Sequence, residues 1–97
     1  MDPALPDLQI ADVVASTAGR DADKWFYVIS MDETFLYLAN GRYRRIEKPK
    51  RKKCKHTSKV LRSETRVAEK LRLGDKVLNS ELRRDLAYLS RELQSEV

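Results

Sequence analysis

The chain holds very little of the chemistry that enzymes and metal proteins assemble. It has one cysteine, Cys54, and one histidine, His56, in 97 residues. A lone cysteine cannot close an internal disulfide, and the two side chains supply too few ligands for a zinc site within one chain. Cys54 is read as a small residue of a basic strand or loop, and His56 as an ordinary surface histidine. Three glycines leave no phosphate-cradling glycine loop. No nucleophile comes with a base and an orienting third group, and Asp21 and Asp23 are read as solvated turn residues before paired acids. No apolar run approaches the roughly 20 residues of a membrane span. Met1-Asp2-Pro3 opens a polar lead without the basic-then-apolar pattern of a secretory signal. The expectation is a soluble, cytoplasmic protein with no catalytic residue, metal, cofactor or small-molecule substrate, of one small domain or a very small domain with an appendage.

What the chain does have is unevenly placed charge. From Arg42 to Arg62 stand eleven basic residues and one acid, Glu47, a net +10. The other nine basic and fourteen acidic residues leave the remainder at −5, so the formal +5 conceals a dipolar molecule. A basic run is often only a solvated face, but this concentration beside an acidic remainder calls for a polyanionic partner. Such a strip attracts phosphates by Coulomb force and by release of their condensed counterions.

Composition divides the chain into three pieces: a lead at 1–7, a β-rich body at 8–58, and a helical segment at 63–97. Five of the seven aromatics, Trp25, Phe26, Tyr27, Phe35 and Tyr37, lie in the first 41 residues. Ile10 to Ser16, Lys24 to Met31 and Thr34 to Ala39 have strand length and strand composition. Asn40-Gly41 between two such runs predicts a two-residue type I′ hairpin, with Leu38 opposite Tyr43 and Tyr37 opposite Arg44. Pro49 is then expected to end the second strand. Lys50 to Lys55 is read as a solvated basic run, and Cys54 to Ser58 as a last short strand. Val67, Ala68 and Leu71 share one side of a short helix that Gly74 terminates in the left-handed region. Asn79 is expected to N-cap a second helix carrying Leu82, Leu86, Leu89 and Leu93. With seven basic and seven acidic residues, 63–97 is read as a packing element or a docking face for a protein partner.

The run from Ile10 to Ile29 is an apolar strand, a loop with Gly19 at its tip followed by Arg20, and a second apolar strand. It resembles the KOW motif of small bacterial RNA-binding proteins, which are similar to archaeal and eukaryotic large-subunit ribosomal proteins with that domain. The resemblance extends through Ala39 to Lys50 and covers residues 8 to about 58. Ala11 stands where a Gly usually precedes the Asp, and Ala22-Asp23 where Gly is common. The resemblance implies a mainly β plus α fold, a small SH3-like β-barrel followed by the helical hairpin, whose β1 to β2 loop and adjacent strands contact structured RNA. By position it puts Gly19 and Arg20 in that loop, with Arg42, Arg44 and Arg45 on the second hairpin.

Lys24, which follows that loop in the stretch carrying the resemblance, is an expected nucleic-acid contact with them, and the residues themselves add Tyr37, Lys48, Lys50, Arg51, Lys52, Lys53 and Lys55. Trp25, Phe26 and Tyr27 are assigned to the core before base stacking, because a small barrel needs its aromatics for burial. Gly19 is a turn requirement first and a backbone approach second. The leading expectation is binding to structured, ribosomal RNA in ribosome assembly or translation. A transcription-elongation module contacting polymerase or nascent RNA is the alternative. A nuclear-import or polyanion adaptor built on Lys48-Pro49-Lys50-Arg51-Lys52-Lys53 is a third, on a motif that matches by chance often.

Overall fold

Alternating apolar residues set the strands, and a computed structural model describing residues 8–94 arranges them in one antiparallel sheet. The lead expected at 1–7 lies outside the described residues. The strands are β1 (Asp12–Ser16), β2 (Trp25–Met31), β3 (Phe35–Ala39), β4 (Lys50–Lys53) and β5 (Thr57–Arg62), followed by helices α1 (Arg66–Leu73) and α2 (Asn79–Gln94). The sheet order is β4-β3-β2-β1-β5. This is the expected small β-rich body with a helical pair, and the sheet is open, because β4 and β5 are edges that do not pair. No helix among the described residues is long and apolar enough to cross a membrane.

The sheet must be strongly coiled. One three-residue 3-10 turn, Cys54–His56, takes the chain from one edge strand to the other. In a flat sheet these edges would stand about 19 Å apart, whereas four extended residues reach about 14 Å at most. Bulges help the curl, one in β2 around Ile29 and one where β5 passes Val13 and Val14 of β1. The coil buries the concave face, and the helices cover part of the convex one. Val14, Phe26, Val28, Leu36 and Leu38 fill the concave side together with Leu8. Val13, Tyr27 and Ala39 point the other way, into a second cluster with Val67, Ala68, Val77, Leu82 and Leu86 of the helical segment.

The hairpin expected at Asn40-Gly41 does not form. β3 pairs with Lys50–Lys53, so Leu38 faces Lys50 and Tyr37 faces Arg51 instead of Tyr43 and Arg44. Pro49 precedes the partner strand instead of ending one. The reason lies in the side chain of Asn40, buried at the end of β3, whose Oδ1 accepts from the backbone N–H groups of Arg42, Tyr43 and Arg44 at 3.0, 3.0 and 3.1 Å. An Asn that can bind its own downstream backbone offers the chain an alternative to a ladder. Gly41 does have the expected positive φ, +76°, but the demand is tertiary as well: a Cβ there would come within 2.2 Å of the Asn79 carbonyl oxygen.

Asn79 does not N-cap α2. Its Oδ1 accepts from the Ile46 N–H at 2.8 Å while its Nδ2 donates to the Glu47 carboxylate, so it fastens the β3 to β4 loop to the helix. Leu78 stands at the cap, where Glu81 Oε1 accepts its N–H at 2.9 Å. Gly74 ends α1 in the left-handed region as expected, and Thr65 caps its start by accepting from Ala68. Of the α2 leucines, Leu82 and Leu86 are buried, Leu89 packs partly, and Leu93 is exposed. A polar network also ties the helices to the sheet. The Tyr27 hydroxyl bonds to Ser63 at 2.8 Å and to the Asp85 carboxylate of α2, which accepts from Thr65 at 2.8 Å.

Gly41→Ala is expected to cost at least about 2 kcal/mol, from left-handed backbone bearing a Cβ and from its collision with α2. A thermal melt should fall by roughly 8 to 16 °C. A melt unchanged within a degree or two would refute the clamped-loop geometry.

Candidate nucleic-acid interface

The coil of the sheet divides the basic residues into three environments. The first is interior. Lys50 and Lys52 share the concave face of β3 and β4 with Leu36 and Leu38. Lys52, expected in a solvated run and in contact with nucleic acid, is 9% exposed. Its ammonium donates to Asp21 Oδ1 at 2.7 Å, to Ser16 Oγ at 2.7 Å and to the Ala18 carbonyl at 2.8 Å. All three Lys donors are therefore used, and Lys52 is a strut between β4 and the β1 to β2 loop. Alternation explains the correction: in a strand of four consecutive cations every second one points inward, and this one meets a buried acid. Lys59 and Arg62 likewise reach buried Asp12, at 3.4 and 3.2 Å.

Asp21, assigned to a solvated turn, is buried. Burial alone would push its carboxyl up, but the hydrogen bonds from Lys52 and Ser16 and the charges of Lys52 and Lys50 outweigh that and lower it to about 2. Its other oxygen, Oδ2, is buried without a hydrogen bond and has the Lys50 ammonium 3.4 Å away.

The second environment is where two loops meet. The β1 to β2 loop carries Gly19, at φ +85°, with Arg20 and Lys24. The β3 to β4 loop carries Arg42, Tyr43, Arg44, Arg45 and Lys48. Tyr43 is 62% exposed, with Lys24 Nζ 4.8 Å and the Arg42 guanidinium 5.9 Å from its ring centre. Arg20, Arg44 and Lys50 line the same cavity of about 310 Å³, and Phe26 lines its apolar part. Five expected contacts, Arg20, Lys24, Arg42, Arg44 and Lys50, thus gather around one aromatic that had not been counted among them. Tyr43 had a local signal, an aromatic flanked by Arg42 and Arg44 directly after Asn40-Gly41. The hairpin expectation hid it by assigning Tyr43 to a strand.

The third environment is the convex face beyond the helices. Phe35, Tyr37, Arg51 and Lys53 lie there side by side. Arg51 stands 4.5 Å over the Phe35 ring, and Tyr37 is half-buried, donating its hydroxyl to Asp32 at 3.1 Å. Tyr37 therefore sits with Arg51, apart from the Tyr43 cluster. Lys48 and Lys55 are exposed, on the β3 to β4 loop and on the 3-10 turn. Arg45 shares a further cavity of about 570 Å³ with Arg42 and with Arg83 of α2, whose Nη1 also donates to the Gly41 carbonyl at 2.6 Å. Nothing local marked Arg83, which stands in a charge-balanced helix.

The Lys52 to Asp21 pair makes stability depend on acid. Because the carboxyl lies below its ordinary value of 3.8, the stabilisation is fully present above that value and is lost as pH falls from about 4 through about 2. It amounts to roughly 2 kcal/mol. Lys52→Met, which strands a buried carboxylate, should destabilise by roughly 3 kcal/mol at neutral pH. The double variant Asp21→Asn with Lys52→Met should recover part of this and lose less stability between pH 4 and pH 2 than the natural chain. Equal acid losses in the two proteins, followed by circular dichroism melts, would remove Asp21 from this role.

No protein-family model matches this chain, and no curated protein matches it at a significant level.

Proposed function

We propose that the protein binds structured RNA, with the two-loop cluster around Tyr43 as the principal contact and ribosomal RNA as the target class, in ribosome assembly or translation. The observation that carries this reading is the convergence of Arg20, Lys24, Arg42, Arg44 and Lys50 on one exposed aromatic. Cations alone would suit any polyanion. An exposed ring among guanidinium and ammonium groups also offers a stacking surface for an unstacked base, which duplex DNA does not present.

The same proposal takes the coiled sheet as an SH3-like barrel of the KOW type, left open between β4 and β5. Two backbone positions support it. Ala11 stands where that family commonly has Gly, as does the pair Ala22-Asp23, and of these Ala11 and Asp23 have left-handed φ, +74° and +71°. Left-handed backbone at these positions is what a motif with glycine there would call for, and it supports the reading.

If five to seven cations contact phosphates, log affinity should fall with log salt at a slope of about −4 to −6. Tyr43→Ala should lower affinity for a folded RNA about tenfold, in line with one lost stacking contact. The exposed position predicts an unchanged melt and an unchanged salt slope. A Tyr43→Ala protein that binds RNA as well as the natural chain would overturn the stacking role. Equal affinity of the natural chain for folded RNA and for heparin would reduce the interface to a polyanion surface.

A further inference from the structure

Between the Tyr43 loop and α2 lies a third cavity, of about 430 Å³. Trp25 lines it, as do Asp23, Arg42, Arg83, Ala87 and Ser90. Trp25 is half-buried and packs against the convex core, which holds the indole in place while leaving part of it toward the cavity. Arg42 and Arg83 line both this cavity and the adjoining arginine-rich one, where Arg45 joins them. The two spaces therefore adjoin, with a pair of guanidiniums on the wall of each. One offers an aromatic wall with an acid, and the other offers three positive side chains.

We infer that these adjoining cavities form a subsite for a single unpaired nucleotide of the RNA, its phosphate against Arg42, Arg45 and Arg83, its base against Trp25, and the base edge read by Asp23. The inference rests on the RNA-binding reading above. Guanidiniums favour phosphate because their planar donors match its oxygens. An aromatic wall accepts any base by its face. Asp23 supplies the selectivity. An ionised carboxylate only accepts hydrogen bonds, so it favours a base edge rich in donors. Guanine presents two parallel donors, N1–H and the exocyclic amine, where uracil presents one N–H between two carbonyls. Asp23 is exposed and holds a left-handed φ of +71°, a conformation that glycine would adopt at less cost. The Asn40 side chain, also on the cavity wall, is already committed, its Oδ1 to the loop backbone and its Nδ2 to the Trp25 carbonyl. The subsite needs α2, so the helical segment belongs to the interface in spite of its balanced charge.

Trp25 is the only tryptophan, so tryptophan fluorescence reads the wall of this cavity and the core beside it, and no other site. The full chain would be titrated with three RNAs of equal length: a hairpin with a guanosine loop, the same hairpin with a uridine loop, and a blunt duplex. The expected result is quenching by the guanosine hairpin, about tenfold tighter binding of it than of the uridine hairpin, and no quenching by the duplex. Ala87→Leu adds bulk to the cavity at an exposed helical position without changing charge, and should abolish the quench at an unchanged melt and salt slope. Asp23→Asn keeps a residue that tolerates the left-handed region, and should erase the preference for guanosine over uridine. Binding of the hairpins with no quench, or a quench and preference that survive both variants, would overturn the nucleotide subsite and leave the RNA-binding reading standing. No binding to any of the three RNAs would overturn both.

Discussion

The buried contact of Lys52 with Asp21 is the constraint on which most of the remaining architecture rests. It joins the inner face of edge strand β4 to the loop between β1 and β2, across the concave side of the coiled sheet. Burying a cation and an anion is costly, and the cost is offset only where each has its other polar partners. Here Ser16 and the Ala18 carbonyl take the remaining ammonium donors, while Ser16 also donates to Asp21. The consequence is positional. The loop bearing Gly19, Arg20 and Lys24 is pulled toward β4, and Lys50, two residues before Lys52, arrives beside it. Tyr43 and its cations can meet because this strut brings their two loops together.

The helices act from the other face. Asn79 holds the backbone of Ile46 and the carboxylate of Glu47, Arg83 holds the Gly41 carbonyl, and Gly41 lies so close to α2 that no side chain fits. The basic loop is thus moulded between β3 and a helix instead of standing out as a free hairpin. A preformed loop loses less conformational entropy on binding than a flexible one. Tyr27, Ser63, Thr65 and Asp85 secure the same helix deeper in, satisfying one another's polar atoms in a region otherwise apolar.

The charge tract from Arg42 to Arg62 therefore does more than one job. Lys52, Lys59 and Arg62 engage buried carboxylates and stabilise the fold, and Lys50 does both jobs, standing 3.4 Å from buried Asp21 while lining the Tyr43 cavity. Arg42, Arg44 and Lys50 gather with Arg20 and Lys24 around Tyr43, while Arg51 and Lys53 stand on a separate face with Phe35 and Tyr37. Formal charge counts all of these alike. Their value to a polyanion differs, because a cation already neutralised by a buried acid has little attraction left to offer.

What could be read from the residues alone was whatever depends on near neighbours in the chain. The three first strands, the turn at Gly19, the helix end at Gly74, the buried side of α1 and the inward Leu82 and Leu86 all follow from period and from glycine's freedom at positive φ. So did most of the basic and loop residues that meet around Tyr43. Tertiary structure alone decided the rest. The partner of β3 turned on Asn40 capturing three backbone donors, a choice between two local bonding patterns that the Asn-Gly pair permits equally. The burial of Lys52 depended on Asp21, 31 residues away. The contribution of Arg83 depended on where α2 crosses the loop. For Lys52 and Arg83 the energy comes from groups distant in sequence, and at Gly41 the approach of Asn79 adds such a constraint to the local one, so a strand or helix period carries no information about what stands across from it.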